Sequence, residues 1–272
     1  MAGFFGMFDF TKPGKGVSKE DLDKQGLGLY FDILGRRLGK ILLLNILYFI
    51  VSIPALIIYS LLSNVILSLF ISFDKIDATS LLLMNLFLST SLLLLLGSGS
   101  ATAAMNYVLR KYVNDTHAWV WSDFWDAFKE NFWQGTASFF LNIIILSLCV
   151  VAIDFYKSLG GGIGIALTTV VSIVTAIFLM MQIYFYQIMA SVTLKIKDIY
   201  RNAFLLTVGR LPVSIAAAIV SAVVIYAMFM TFNVFSIIVA MVLYYTLPVY
   251  TQIFITNNTI NKYLIEPGEK AE

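Results

Sequence analysis

Charged side chains are missing from five long stretches of this chain. The uncharged runs cover residues 41–73, 78–109, 131–153, 158–194 and 211–261. Of the 272 residues, only 12% are charged, whereas 60% are apolar and the mean hydropathy is +0.87. Because a helix needs about 20 residues to cross about 30 Å of hydrocarbon, these runs predict an all-α integral membrane protein.

Residues for metal, disulfide and acid–base chemistry are scarce. Cys149 is the only cysteine, which excludes an intramolecular disulfide, and His117 is the only histidine, so a paired-histidine metal site is not available. Ser122 and Asp123 lie close to His117 in sequence, but no glycine flanks Ser122 and the spacing is not that of a nucleophile elbow. We therefore expect a protein that is not an enzyme and that uses no metal or cofactor.

The uncharged runs divide into about six predicted membrane spans. We predict them at residues 38–62, 80–104, 136–156, 163–195, 211–230 and 235–255. Pro54 is expected to kink the first span, because proline removes one helical hydrogen bond. The last run is too long for one helix, so we divide it near residues 231–233; a model with five spans stays open.

The distribution of Lys and Arg predicts the orientation. With six spans, 16 of the 18 basic residues fall on one side, and only Lys75 and Lys157 fall on the other. With five spans the split is 14 to 4, because the tail changes sides. We expect the protein in the cell membrane. Both models place its N-terminus in the cytoplasm, and the model with six spans places the C-terminus there too. The net charge of +2 requires no nucleic-acid partner.

Aromatic and charged residues are mixed in short segments before spans one, three and five. These segments, residues 29–37, 123–133 and 199–206, predict short cytoplasmic helices that lie in the membrane interface. The similar sequences at residues 126–128 and 202–204 suggest a repeat of interfacial helix plus transmembrane hairpin. The predicted domains are a cytoplasmic N-terminal segment (1–37), a transmembrane domain (38–256) and a cytoplasmic tail (257–272).

Small and amide side chains inside the spans have two interpretations. Gly97 with Ala101, and Ala218 with Ala222, are four residues apart and predict close helix packing. The spans carry no charged residue in their apolar cores, which counts against proton relays and ion-coupled carriers. Seven amides lie within the uncharged runs and either hold helices together or line a path for a neutral solute: Asn45, Asn85, Asn142, Gln182, Gln187, Asn233 and Gln252.

Four segments carry a resemblance to a known family. They are Phe-Thr-Lys-Pro-Gly-Lys-Gly-Val at residues 10–17, Leu-Tyr-Phe-Ile-Val-Ser-Ile-Pro at 47–54, Tyr-Val-Leu-Arg at 107–110 and His-Ala-Trp-Val-Trp-Ser-Asp-Phe-Trp-Asp-Ala-Phe-Lys at 117–129. In these the chain resembles the YesL-like family of Gram-positive bacteria. The resemblance implies a polytopic protein with no established activity, often encoded beside carbohydrate importers of the ABC class and their sensor–regulator pairs.

The resemblance and the uncharged spans lead to one expected function and two alternatives. We expect an accessory subunit that braces or regulates the permease of a carbohydrate ABC importer and contacts its permease or ATPase subunits as well as the lipid bilayer. The alternatives are a channel or carrier for a neutral solute and a membrane partner of a sensor kinase. The residues expected to contact a partner are His117, Trp119, Trp121, Asp123, Trp125, Phe128, Tyr200 and Arg201.

Overall fold

Helices account for nearly all of the part of the chain that the computed structural model describes, residues 26–70, 77–230 and 244–265, and that part contains no strand. The helices are α1 (Leu27–Val51), α2 (Ile53–Phe70), α3 (Ala78–Leu96), α4 (Ser100–Val113), α5 (Val120–Glu130), α6 (Phe132–Leu159), α7 (Gly161–Met189), α8 (Ile196–Gly209), α9 (Leu211–Met230) and α10 (Thr246–Ile260), followed by a π-helical turn, Asn261–Ile265. The all-α prediction is therefore confirmed for these residues.

Four helices are long and apolar enough to cross a membrane. They are α3, α6, α7 and α9, and the bent pair α1–α2 adds a fifth span if it crosses as one unit; only the described residues enter this count. The axes of α1 and α2 differ by 62°, and the bend falls at Ser52, two residues before Pro54. The predicted kink in the first span is therefore present next to Pro54. Pro54 itself lies in the first turn of α2, where its missing backbone N–H breaks no helical hydrogen bond.

The fifth predicted span starts where expected, and the predicted bounds of others fail. α9 begins at Leu211 and is helical to Met230, after which the chain is not described up to residue 243. The predicted second span, 80–104, is wrong as a single helix, because the chain breaks at residues 97–99 between α3 and α4. The predicted fourth span is too long, since α7 ends at Met189. Residues 235–243 of the predicted sixth span, the split at 231–233 and Asn233 lie outside the described residues, whereas residues 246–255 of that span belong to α10.

Two of the three segments predicted to be interfacial form separate helices, α5 and α8. The first segment does not: residues 29–37 belong to α1, which continues through Gly35 and Gly39 to Val51 without a break. Nothing there stops the helix, because neither glycine has a positive φ and no proline lies between Leu27 and Val51. The chain divides here into two units, Met1–Arg36 and Arg37–Glu272; within the first, Asp32 and Arg36 form an i,i+4 ion pair of 2.9 Å.

The order α4–α5–α6 matches the order α7–α8–α9. Each starts with a helix, followed by a six-residue connection (114–119 and 190–195), an amphipathic helix, one linking residue (Asn131 or Arg210) and a candidate span. α5 packs against α4, and α8 packs against α7. Ala127 and Ala203, which the sequence comparison aligned, are both buried in these contacts. The similarity thus covers the amphipathic helix and the first span of the hairpin in two of the three predicted units, and residues 231–243 of the last hairpin lie outside the described residues.

α10 lies in the core and is bound at its start by α1. The side-chain oxygen Oδ1 of Asn45 accepts hydrogen bonds from the backbone N–H groups of Tyr245 (3.0 Å) and Thr246 (2.8 Å). These are among the donors that a helix start leaves unpaired. Tyr250 and Ile253 in α10 are fully buried.

Candidate functional site: the helix-break junction and the tryptophan face

Two glycines make the break between α3 and α4. Gly97 has φ +72° and Gly99 has φ +73°, a region that side chains with a Cβ adopt only with strain. A Cβ on Gly99 would also overlap the carbonyl oxygen of Gly135 in α6, and one on Gly97 would meet the hydroxyl oxygen of Thr102 at 2.7 Å. The break is therefore a fixed turn packed against α6, and the helical face expected to contain Gly97 and Ala101 does not exist.

Tyrosine hydroxyls satisfy the carbonyl groups at the open end of α3. Tyr59 in α2 donates to the Gly97 carbonyl oxygen at 2.6 Å, and Tyr186 in α7 donates to the Leu96 carbonyl oxygen at 2.6 Å. Both tyrosines are buried. Backbone carbonyls at a helix end inside a membrane need such partners, because hydrocarbon offers none.

The break at Ser52 meets the break at Ser98. Their hydroxyl oxygens are 2.8 Å apart, and Tyr48 lies 3.1 Å from the hydroxyl oxygen of Thr102. The Thr102 hydroxyl also accepts the Ser98 backbone N–H at 2.7 Å. We call this group the helix-break junction; it comprises Tyr48, Ser52, Tyr59, Ser98, Thr102 and Tyr186.

An amide pair extends the junction toward α8. Asn142 in α6 donates to the Gln182 side-chain oxygen at 3.0 Å, and the Tyr200 hydroxyl donates to Oδ1 of Asn142 at 2.7 Å. Tyr200 therefore points into the core, and the pKa of its hydroxyl is raised by burial. Its neighbour Arg201 is exposed on α8.

The other predicted amides within the described residues also hydrogen-bond between helices. Asn85 donates to the Ser60 carbonyl at 2.9 Å and accepts from its hydroxyl at 2.7 Å. Gln187 accepts from Thr256 at 2.8 Å, and Gln252 donates to Ser221 at 2.5 Å. These bonds favour the interpretation of the amides as helix contacts over a hydrated solute path.

Arg110 near the end of α4 is a buried cation that the sequence analysis treated only as a marker of orientation. It is 8% exposed, and its guanidinium donates to the Ser191 hydroxyl and to Oδ1 of Asn261. Burial lowers its pKa to about 10, so the group stays charged at neutral pH. Arg110 thereby links α4 to the α7–α8 connection and to the end of α10. No pattern in the sequence distinguished it from the other basic residues that border spans.

Four tryptophans lie in or next to α5. The predicted partner residues Trp119 and Trp121 are 70% and 68% exposed, and Trp125 is half-buried with its ring 5.8 Å from that of Trp121. Trp133 at the start of α6, which was not among the predicted partner residues, is 81% exposed. We call these four residues the tryptophan face. Phe128 stacks against the buried Phe124 behind them, with ring centroids 6.3 Å apart.

Asp123 fixes the start of α5 without being the residue that precedes the helix. The helix begins at Val120 after Trp119, so neither Ser122 nor Asp123 is the cap residue. Instead, the Asp123 carboxylate accepts the Trp119 backbone N–H at 2.8 Å and pairs with Lys111 of α4 at 3.2 Å. The exposed His117 lies beside Trp119, with ring centroids 5.0 Å apart. In the described part of the chain, no group of three His, Cys, Asp or Glu residues could hold a metal ion.

The remaining predicted packing residues lie on α9. Ala218 is half-buried and Ala222 is exposed, while the intervening Ser221 is buried. The close helix packing predicted for the two alanines stays a prediction.

Comparison with protein families finds one similarity. Residues 78–155 match the model of a family described as "Protein of unknown function, DUF624". This match covers less than a third of the chain, from the start of α3 to near the end of α6. It includes the glycine break, Gly135, Asn142 and the tryptophan face. No curated protein and no solved structure matches the chain. The fold and the similarity together define a multi-pass α-helical membrane protein that resembles an uncharacterised family.

Proposed function

We propose that the chain is a non-enzymatic accessory subunit of a carbohydrate importer of the ABC class, and that its tryptophan face docks against the importer in the cell membrane. The observation that carries this proposal is the exposure of three indole rings on one short region, residues 119–133. Tryptophan supplies a large apolar surface with one polar N–H and is enriched where protein interfaces concentrate their binding energy.

Contacts with other helices hold the segment that carries the tryptophan face in place, as a docking surface requires. Phe124 and Ala127 of α5 are buried, the Phe124 ring contacts that of Trp125, and Asp123 pairs with Lys111 of α4. Arg37 in α1 also pairs with Asp115, in the connection before α5, at 2.9 Å. A surface held in its binding conformation loses little conformational entropy on association.

The direction of the proposal toward an importer comes from the sequence resemblance. Residues 107–129, which contain most of the tryptophan face, resemble the YesL-like family, whose members are often encoded beside carbohydrate importers. From the distribution of basic residues, we expect α5, α8 and the N-terminus on the cytoplasmic side. There α5 would lie in the membrane interface, where tryptophan is favoured.

Transport by the chain itself is a weaker proposal. The amides that would line a path for a neutral solute are engaged with protein groups wherever the structure describes them, as Asn142 is with Gln182 and Tyr200. We expect proteoliposomes that contain the purified chain to take up neutral sugars no faster than empty liposomes. Uptake that Asn142→Leu abolishes would support the carrier instead.

Photo-crosslinking from the tryptophan face tests the docking proposal. A photoreactive phenylalanine analogue in place of Trp121 should form an adduct with the importer's permease or ATPase in native membranes. The matched control is Leu148, which is similarly exposed (66%) but lies in the middle of the candidate span α6. The photoreactive residue at position 148 should form adducts with lipid. Lipid adducts alone at position 121 would contradict the proposal, and an adduct with a sensor kinase would replace the importer with that partner.

A further inference from the structure

A cavity of about 730 Å³ lies beside the helix-break junction. Its walls come from α3, α4, α7, α9 and α10, and Gly97, Thr102 and Tyr186 of the junction region form one end. The volume is within the range of about 300–1,000 Å³ that is usual for small-molecule sites. Neither the function proposed above nor the family similarity assigns a role to this cavity.

The lining restricts the ligand to an uncharged molecule with an apolar body. Most lining residues are aliphatic or aromatic, including Leu94, Met180 and Ile225. No Asp, Glu, Lys, Arg or His lines the cavity among the described residues. A charged group brought here would lose its hydration without gaining a counter-charge, which costs several kcal/mol.

Two buried amides add a requirement for hydrogen-bond donors. Asn106 and Gln252 line the cavity and are 4% and 6% exposed. Their nitrogens are engaged: Asn106 donates to the Thr102 carbonyl at 2.8 Å, and Gln252 donates to Ser221. In the part of the chain that the structure describes, neither side-chain oxygen receives a hydrogen bond. Each oxygen can therefore accept a hydrogen bond from a ligand in the cavity, so a ligand that supplies hydroxyl or N–H groups would be favoured.

The α9 wall of the cavity lies on a candidate membrane span. Ile215, Ile219, Tyr226 and Phe229 line the cavity and are also 47–62% exposed on this helix. A ligand that enters between these side chains would come from the surface that α9 presents to hydrocarbon, which favours a lipid over a solute that arrives from water.

We propose that the cavity binds one uncharged membrane lipid with a single acyl chain and a hydroxyl-bearing headgroup, the chemistry of a monoacylglycerol. The acyl chain lies along the apolar wall of α3, α7 and α9. The headgroup donates hydrogen bonds to Oδ1 of Asn106 and Oε1 of Gln252. This inference is independent of the importer proposal, since it concerns a different surface and a different ligand.

Native mass spectrometry of the full chain in phosphatidylcholine nanodiscs tests this site. The nanodiscs are doped with 1-monooleoylglycerol or, as a probe with the same chain but no donor, methyl oleate. We expect one monooleoylglycerol per chain and at least tenfold lower occupancy by methyl oleate. Equal retention of both probes, or a broad distribution of bound copies, would overturn the proposal.

Two variants separate the cavity from nonspecific lipid binding. Ala222→Phe places a ring in the cavity wall and should reduce monooleoylglycerol occupancy at least tenfold, whereas Val223→Phe, on the neighbouring exposed position outside the cavity, should leave it unchanged. Asn106→Leu should lower the preference for monooleoylglycerol over methyl oleate. If Ala222→Phe binds as much monooleoylglycerol as the unmodified chain does, the lipid is not in this cavity and the proposal is wrong. This test does not depend on whether Asn106→Leu folds.

Discussion

Single residues at the helix-break junction have little freedom to change. Gly99 combines a positive φ with direct contact to the backbone of Gly135, so a side chain there meets both strain and overlap. In the sequence this glycine lies inside the predicted second span, residues 80–104. The structure makes it the point where α4 starts and where α6 comes closest.

Gly99→Ala is expected to destabilise the protein more than Gly160→Ala. Gly160 has a similar φ of +62° but nothing within 4 Å of an added Cβ, so it reports the backbone strain alone. Overlap with Gly135 adds about 1–3 kcal/mol at Gly99. Thermal unfolding in mild detergent measures the difference as a lower apparent Tm. Equal decreases in apparent Tm for the two variants would show that the overlap with Gly135 of α6 adds no destabilisation.

At the scale of helices, the sequence predicted the start of α9 correctly and misplaced the end of α3. α9 is an apolar run directly after Arg210, and residues 211–230 contain no glycine or charged residue that would indicate a helix end. The second span contains Gly97 and Gly99 inside an equally apolar run, where small residues are also typical of helix–helix contacts. Only the tyrosines from α2 and α7, distant in sequence, provide the partners that make a break possible there.

The residues expected to contact a partner differ in where the structure places them. Trp119 and Trp121 are exposed and Trp125 is half-buried, and their contact with a partner stays a prediction. Tyr200 was placed on the same surface by its aromatic and charged neighbours. Its contact with Asn142 depends on how α8 packs against α7, which no local pattern encodes.

Tyr186→Phe should weaken the contact between α7 and the end of α3. The change removes the donor to the Leu96 carbonyl and leaves that buried oxygen unpaired, at a cost of about 1–3 kcal/mol. Tyr226→Phe is the matched control, since Tyr226 is 62% exposed on α9. The apparent Tm should fall clearly for Tyr186→Phe and stay nearly constant for Tyr226→Phe. Similar values for both would mean that the hydroxyl does not hold the break.

At the scale of the whole molecule, the orientation in the membrane follows from the basic residues. α5 and the α7–α8 connection are predicted to face the cytoplasm, whereas the α6–α7 turn with Lys157 faces outward. Both ends of α6 therefore offer a direct comparison across one candidate span of 28 residues.

Cysteine labelling tests this orientation with two exposed serines. In a Cys149→Ala background, Ser158→Cys near the α6–α7 turn should react with a membrane-impermeant maleimide in intact cells. Ser122→Cys in α5 should react only after permeabilisation. Labelling of both sites in intact cells, or the reverse pattern, would place the tryptophan face outside the cytoplasm and contradict its proposed docking role.

The most direct test of the account is affinity purification of the tagged chain from its native membranes in mild detergent. The unmodified chain is predicted to bring down the permease or ATPase of a carbohydrate importer, and the double variant Trp119→Ser, Trp121→Ser is predicted to lose that partner while keeping its apparent Tm. Both side chains are largely exposed, so their removal should leave the fold intact. Absence of any importer subunit with the unmodified chain, or equal recovery with the variant, would contradict the proposal.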